Sequence, residues 1–297
     1  MRFGILANPD SWYLRDLSRA AATLGHAVTQ LSFDEMTAAL DDTGQLTIAA
    51  GESKLSDFDA ILVRTMPPGS LEQVVFRMDC LGRHEAAGGV VINPARAIEA
   101  AVDKFLTSAK LAKASLTTPR TIVCQTADEG RAAFEQLGGD VVLKPIFGSE
   151  GRGITRLNDE ALAERAFKML TQLGAVLYVQ EFIEHEGFDY RLLLVGDDCL
   201  AMRRHNALDW RTNVSRGATG EKFDPPPSLI DMARRAAQAV GALVAGVDIL
   251  PARDGRLHVL EVNAVPGWKA LARVHDSDVA SKLISFAAAQ VGRGRSA

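Results

Sequence analysis

Cysteine, basic excess and long apolar runs are all lacking in this chain of 297 residues. Cys80, Cys124 and Cys199 stand far apart with no CxxC pair. That argues against a disulfide framework or a cysteine-bound zinc and fits a reducing cytosol. No apolar run approaches the ~18 residues needed to cross a bilayer. The start, MRFGILANPDSW, lacks the charged beginning, long apolar core and small-residue cleavage site of a signal peptide. A soluble cytoplasmic protein with no membrane partner is expected. Lys and Arg total 33 against 37 Asp and Glu, a net charge of -4, so nucleic acid is not an expected partner. The six histidines form no cluster, and no Ser-His-Asp pattern is recognisable, which leaves nucleophilic catalysis by a side chain unsupported. No GxGxxG follows the first apolar strand, so a Rossmann dinucleotide site has no support either.

What is present is an alternation of strand and helix signals. FGILA reads as a buried strand, SWYLRDLSRAAATLG as a helix ending at Gly25, and AVTQLSF as a second strand. DFDAILVRT and GGVVINP add two more short apolar runs, so the first third predicts a parallel α/β sheet. One long helix is expected over PARAIEAAVDKFLTSAKLAKAS. Two strand–helix repeats follow, over roughly residues 117–185, ending in LYVQEFI. An antiparallel pair turns at Gly196-Asp197, a polar loop spans NALDWRTNVSRGATGEKFDPPP, and a helix covers SLIDMARRAAQAVGAL. The strands AGVDILPA and LHVLEVN meet across Arg253-Asp254-Gly255, a hairpin signal.

Several residues carry chemistry in this pattern. Glu261 and Asn263 lie two apart in an apolar strand and project from one face. Asp248 sits on the preceding strand, and a buried carboxylate needs a partner or a metal. Oxygen ligands without His or Cys select Mg²⁺ or Mn²⁺. Lys144 closes an apolar strand, where an ammonium needs an anion, and Gly148-Ser149-Glu150-Gly151-Arg152-Gly153 can close backbone N–H groups over phosphates. The segment Gln180-Glu181-Phe182-Ile183 can offer backbone donors and acceptors to an adenine edge, although an ordinary linker explains it equally well. Arg211, Asn213 and Arg216 lie in a polar stretch suited to a phosphate or carboxylate. Arg64 ends a strand of the first sheet, where open α/β sheets bind ligands.

Taken in order, VDKFLT, VVLKPIFGSEGRGI, YVQEFI, DYRLLLVGD, DWRTNVSRGA, AGVDIL and LEVNAVPG resemble the ATP-grasp superfamily, and most of all its RimK-type α-L-glutamate ligases. The resemblance covers nearly the whole chain and is strongest from Arg96 to Leu271. It implies an ATP-grasp fold, α/β and α+β. An N-terminal parallel α/β (pre-ATP-grasp) domain would span 1–97, a central lid subdomain with its linking helix 98–185, and a C-terminal subdomain with the metal site 186–297. It further implies ADP-forming carboxylate–amine ligation with ATP, Mg²⁺ (or Mn²⁺), L-glutamate and a carboxylate-bearing acceptor, in an enzyme that can form dimers or tetramers.

Carried over by position, Lys144 and Arg211 are the catalytic pair. The nucleotide would meet Lys104, Lys144, Ser149, Gly151, Gly153, Gln180, Glu181, Phe182, Ile183, Asp189, Arg203 and Arg211. The substrates would meet Arg64, Arg191, Asn213 and Arg216, and the metal Asp248, Glu261 and Asn263. VRTMPPGSLEQVVFRMD and NPARAIEAAVDKFLTSAKLA are similar to the tetrahydromethanopterin:α-L-glutamate ligase branch, which implies a one-carbon cofactor of methanopterin or methylofuran type as acceptor. A protein tail, an amino-group carrier protein and a non-catalytic ATP-binding scaffold are the alternatives. Carrier-protein enzymes usually show a different residue set around DWRTN.

Overall fold

A computed structural model describes residues 1–148, 152–213 and 217–294. The expected alternation appears at the N-terminus: β1 (Arg2–Leu6), α1 (Trp12–Thr23) and β2 (Ala27–Leu31). An antiparallel meander then intervenes, β3 (Met36–Leu40), β4 (Leu46–Ala50) and β5 (Ser53–Lys54). It carries no clear strand signal because most of β3 faces solvent. β6 (Ala60–Val63), α2 (Leu71–Ala86) and β7 (Val91–Ile92) complete a four-stranded parallel sheet of order β2-β1-β6-β7. The carboxyl ends of these strands point toward the rest of the chain: Asn93, just past β7, donates to Val244 O and accepts from Leu243 N and Val244 N.

The single long helix expected next is two helices, α3 (Ala95–Val102) and α4 (Lys104–Lys113). Asp103 breaks it. Its backbone is extended and its carboxylate accepts from Leu106 N at 2.9 Å, an N-cap that starts a new helix. Lys104 is therefore the first residue of α4.

The central unit comprises β8 (Thr121–Cys124), α5 (Ala127–Gln136), β9 (Val141–Lys144), β10 (Thr155–Leu157), α6 (Glu160–Gln172) and β11 (Leu177–Glu181). Its antiparallel sheet has the order β10-β9-β11-β8. Alternation sends Val141, Leu143, Leu177 and Val179 into a core with Phe134 and Phe167. The intervening Val142, Lys144, Tyr178 and Gln180 take the opposite face.

The last sheet is built from β12 (Phe188–Val195), β13 (Asp198–His205), β14 (Thr219–Phe223), β15 (Val244–Pro251) and β16 (Leu257–Asn263), with α7 (Pro227–Val240) between β14 and β15. Its order is β14-β13-β12-β15-β16. β14 lies within the segment expected to be a polar loop: TGEKF is a largely exposed edge strand, so burial leaves no apolar signature. Leu192, Leu194, Val247, Ile249, Val259 and Val262 pack on α7. The other face carries Asp189, Arg191, Arg204 and Asp248.

The chain ends in α8 (Lys269–His275) and α9 (Val279–Gly294), which return to the first sheet. Trp268, Leu271, Val279, Ile284 and Val291 share one core with Phe3, Ile5 and Leu17. Among the described residues no helix is long and apolar enough to cross a membrane.

Candidate functional site

The polar faces of the central and C-terminal sheets bound an open cleft. Strand register decides what enters it. Asp248 stands directly opposite Glu261 across the β15–β16 pair, but Ile249 stands opposite Val259. Leu260 is therefore an extra residue, a β-bulge. The bulge explains why Val259 and Val262, three apart, share one core while Leu260 and Glu261 both line the cleft.

Beneath the cleft runs a buried chain of ion pairs. Arg204 forks onto Asp189 and reaches Asp248 Oδ2 at 3.0 Å, while Arg191 Nη1 donates to Asp248 Oδ1 at 2.6 Å. Gly246 makes room for this. A Cβ there would stand 2.4 Å from Arg191 Nη2, so the guanidinium can lie across the strand only over glycine. Burial alone raises the pKa of Asp248, but Arg191 and Arg204 outweigh it and hold the carboxyl below its usual range. Glu261 goes the other way: burial first, then the neighbouring Asp248, raise it, against the pull of Arg191, Lys104 and Lys144.

Two lysines face these acids. Lys144 Nζ donates to Gln180 Oε1 at 2.6 Å, and Gln180 in turn donates to Thr121 Oγ1 and the Tyr178 hydroxyl. Burial pushes Lys144 down to about 8, with Glu261 opposing and Lys104 assisting. Lys104 Nζ donates to Gly148 O at 2.9 Å, and burial lowers its pKa as well. Arg211 is held by Asp209 through Nε and Nη2, and its Nη1 reaches across to Ile154 O at 3.2 Å, tying the loop after β13 to the strand-entry of the central sheet. Asp209 and Trp210, which the sequence reading passed over, help shape this loop; the spacing of Asp209 two before Arg211 is an Asx-turn signal, and its carboxylate accepts from Arg211 N at 3.0 Å.

The linker end of the cleft is apolar. Phe182 stacks under the Arg156 guanidinium at 3.5 Å and meets Trp210 edge-on at 5.7 Å. Of the expected adenine-facing groups, the N–H groups of Glu181 and Phe182 are already taken by Arg120 O and Asp140 O. The Glu181 carboxylate is held by Arg120 N and Nε at 2.8 and 2.6 Å. Gln180 offers its side chain to Lys144 instead. Ile183 is where the main chain has left the ladder while still lining the cleft.

Of the remaining expected residues, some fall outside the cleft. Arg203 lies on the opposite face of β13, over the Phe188 ring at 3.9 Å, because Arg204 is the residue paired with Asp189. The arginine that lines the cleft at this position is thus the next one along, Arg204. Asn263 shares the face of Glu261 but sits beyond the lining, its Oδ1 accepting from Val265 N at 2.8 Å. Asn213 lines the cleft, and Arg64 lies away from it against Pro266 O. Gly153 turns with φ +72 at the mouth of β10. Ser149, Gly151 and Arg216 lie outside the described residues.

Among the described residues no group of three Asp, Glu, His or Cys side chains forms a self-sufficient metal cage. Asp248 and Glu261 are nonetheless hard oxygen donors side by side. That fits Mg²⁺, which binds through one or two carboxylates together with substrate phosphates. The Glu261 carboxyl, raised by burial and by Asp248, would be stabilised by such a cation, and Lys104, Lys144 and Arg211 give the cleft the positive rim a polyphosphate requires.

Comparison with known proteins agrees with this geometry. Over 90% of the chain and 92% of the relative, the sequence is 31% identical to the tetrahydromethanopterin:α-L-glutamate ligase of Methanosarcina acetivorans. It is also 31% identical, over 96% of the chain and 95% of the relative, to a ribosomal protein bS6–L-glutamate ligase of Escherichia coli. The ATP-grasp ligase PsnB, solved with a minimal precursor, Mg and ADP, shares the fold at a TM-score of 0.75 and 22% identity, with 97% of each chain covered. Residues 101–287 match the model of the RimK-like ATP-grasp domain, and the chain belongs to that family of ligases.

Proposed function

We propose that this ligase uses ATP and Mg²⁺ to join L-glutamate to a carboxylate on a one-carbon cofactor of the tetrahydromethanopterin type. The observation that carries the reading is the cleft itself, in which Lys104, Lys144 and Arg211 face Asp248 and Glu261. The family's relatives named as glutamate ligases support the amino acid. Three relatives named as tetrahydromethanopterin ligases, at 31 to 35% identity, support the acceptor.

In this reading the acceptor carboxylate attacks the γ-phosphorus of ATP. An O–P bond forms, the bond to ADP breaks, and an acyl phosphate results. The glutamate amine then attacks the acyl carbon, forming a C–N bond, releasing phosphate and losing a proton. Phosphoryl transfer needs placement and charge neutralisation more than covalent assistance. Lys144 lies dry on the central sheet with its pKa lowered to about 8, and phosphate oxygens would stabilise the ammonium charge that burial disfavours. Arg211 fixes the loop after β13 to Ile154, so the guanidinium that faces the transferred group also holds the two halves together. Asp248 and Glu261 would hold Mg²⁺, which when bound neutralises charge on the phosphates. Residues 98–185 then act as the half that closes over residues 186–297 and keeps water from the acyl phosphate.

The test is an acceptor screen with MgATP and L-glutamate, read by product mass. A gain of one glutamyl residue on a pterin cofactor, with ADP released in step, is the expected result. ATP binding without ADP release across pterin, furan, protein-tail and carrier acceptors would overturn the ligase reading in favour of a nucleotide-binding scaffold. A glutamyl product on a protein tail alone would move the acceptor.

A further inference from the structure

Arg64 lies at the carboxyl end of β6, an inner strand of the parallel sheet, and is not part of the nucleotide cleft. Its guanidinium sits 4.5 Å from the Trp268 ring and 5.2 Å from the Tyr13 ring, and donates to Pro266 O at 2.7 Å. Its Nε is buried with no hydrogen-bond partner, and among the described residues no carboxylate pairs with it. Burial pushes its pKa down to about 10. A cation so far stripped of water without a counter-charge is costly unless an anion arrives. The neighbourhood is built tightly: a Cβ on Gly267 would stand 2.5 Å from the Tyr13 hydroxyl, so only glycine lets this turn reach the aromatic pair.

Position supplies the second argument. Pro266 lies three residues beyond Asn263, so the two α-carbons are at most about 11 Å apart. Arg64 is therefore tied, through Pro266 O, to the turn by which the chain leaves the strand that carries Glu261. In a glutamate ligase, on which reading this rests, one carboxylate is activated at the phosphates while the amino acid brings two that never react. Among the described residues, Arg191, Arg204 and Arg211 are paired with Asp189, Asp209 or Asp248, and Lys104 and Lys144 are assigned to the phosphates in this reading. Arg64 is a cation without such an engagement that the incoming dicarboxylate can use.

We infer that Arg64, framed by Tyr13 and Trp268, is the receptor for a carboxylate of the incoming L-glutamate. It is a binding residue for the amine substrate at the edge of the first sheet.

The experiment measures L-glutamate binding to the full chain by titration calorimetry with Mg²⁺ and a non-hydrolysable ATP analogue, for the native chain, Arg64→Met and Arg64→Lys. Losing hydrogen bonds to a charged group corresponds to roughly tenfold to hundredfold weaker binding. Arg64→Met is expected to lose that much L-glutamate affinity, with nucleotide affinity retained, the melting temperature not lowered, and Arg64→Lys intermediate. If the side-chain carboxylate is the one held, L-glutamine should bind the native chain more weakly than L-glutamate and the difference should disappear in Arg64→Met; a glutamate preference that persists undiminished in Arg64→Met, with its glutamate affinity unchanged, overturns the inference. Unchanged L-glutamate affinity in Arg64→Met overturns the inference, as does absence of L-glutamate binding to the native chain. Nucleotide affinity falling in parallel in both variants also overturns it, since Arg64 would then be a strut between sheets. If Arg64→Met does not fold, Arg64→Lys carries the comparison. Turnover with an unchanged glutamate KM in Arg64→Lys refutes Arg64 alone, whereas lack of ADP release in the native chain refutes the ligase reading.

Discussion

Replacing Lys144 by methionine should stabilise the ligand-free protein while destroying its grip on ATP. Burial lowers Lys144 from 10.5 to about 8. Each pH unit of such a displacement is 1.36 kcal/mol, so holding the ammonium charged at pH 7 costs the fold on the order of 3 kcal/mol. Methionine keeps the stem's packing but leaves Gln180 Oε1 without its 2.6 Å donor, a loss of about 1 kcal/mol. The net expectation is a gain of roughly 1–2 kcal/mol at pH 7. The pH dependence fixes the cause. A lysine whose folded pKa is depressed sheds its proton first in the folded state, so stability rises with pH between about 8 and 10.5. By pH 9 the native chain should recover roughly 1 kcal/mol relative to the variant, which has no proton to lose. Paired denaturant melts at pH 7 and pH 9 measure both quantities, and nucleotide titration reports the lost binding. A variant less stable than the native chain at pH 7, or a difference that does not narrow with pH, would refute the account of Lys144 as a dry cation awaiting phosphate.

Glu261→Gln should likewise raise stability at pH 7. Its carboxyl is raised by burial and by Asp248, so the native chain holds its full stability below the ordinary pKa of 4.5 and loses it as pH climbs through the raised folded value. The two chains should converge near pH 4, and Mg²⁺-dependent nucleotide binding should vanish in the variant. Gly246→Ala drives a methyl into Arg191 and should displace it from Asp248, weakening Mg²⁺-dependent ATP binding about tenfold to a hundredfold in titrations. Asp189→Asn leaves Arg204 half-paired in the interior and should cost about 3 kcal/mol in a denaturant melt.

The hairpin carrying Asp248 and Glu261 was legible because its signals are local: two apolar runs, a turn at Arg253-Asp254-Gly255, and carboxylates where packing wants valine. The parallel sheet was legible from apolar runs bounded by turn residues. What escaped depended on partners far along the chain. Asp103 reads equally well inside a helix or as a cap, and only the placement of α4 against Ile146 selects the cap. Arg203 and Arg204 are neighbours with identical chemistry. The pairing of Asp189 with Arg204 decides which one faces the cleft, and pairing is a property of two strands. The bulge at Leu260 changes which side chains share a face without leaving any turn residue to announce it. The meander at Met36–Lys54 and the edge strand β14 bury little, so alternation was faint in both.

The core joining Phe3, Ile5 and Leu17 to Trp268 and the last helix has a consequence for how the molecule comes into being. A ribosome delivers β1 and α1 well before α9, the helix that covers them. Until Val279 to Val291 emerge, the flank formed by β1 and α1 lacks its final partner and stays available to chaperones or to wrong neighbours. Removing α9 would therefore harm β1 and α1, far from it along the chain, more than the residues just before it.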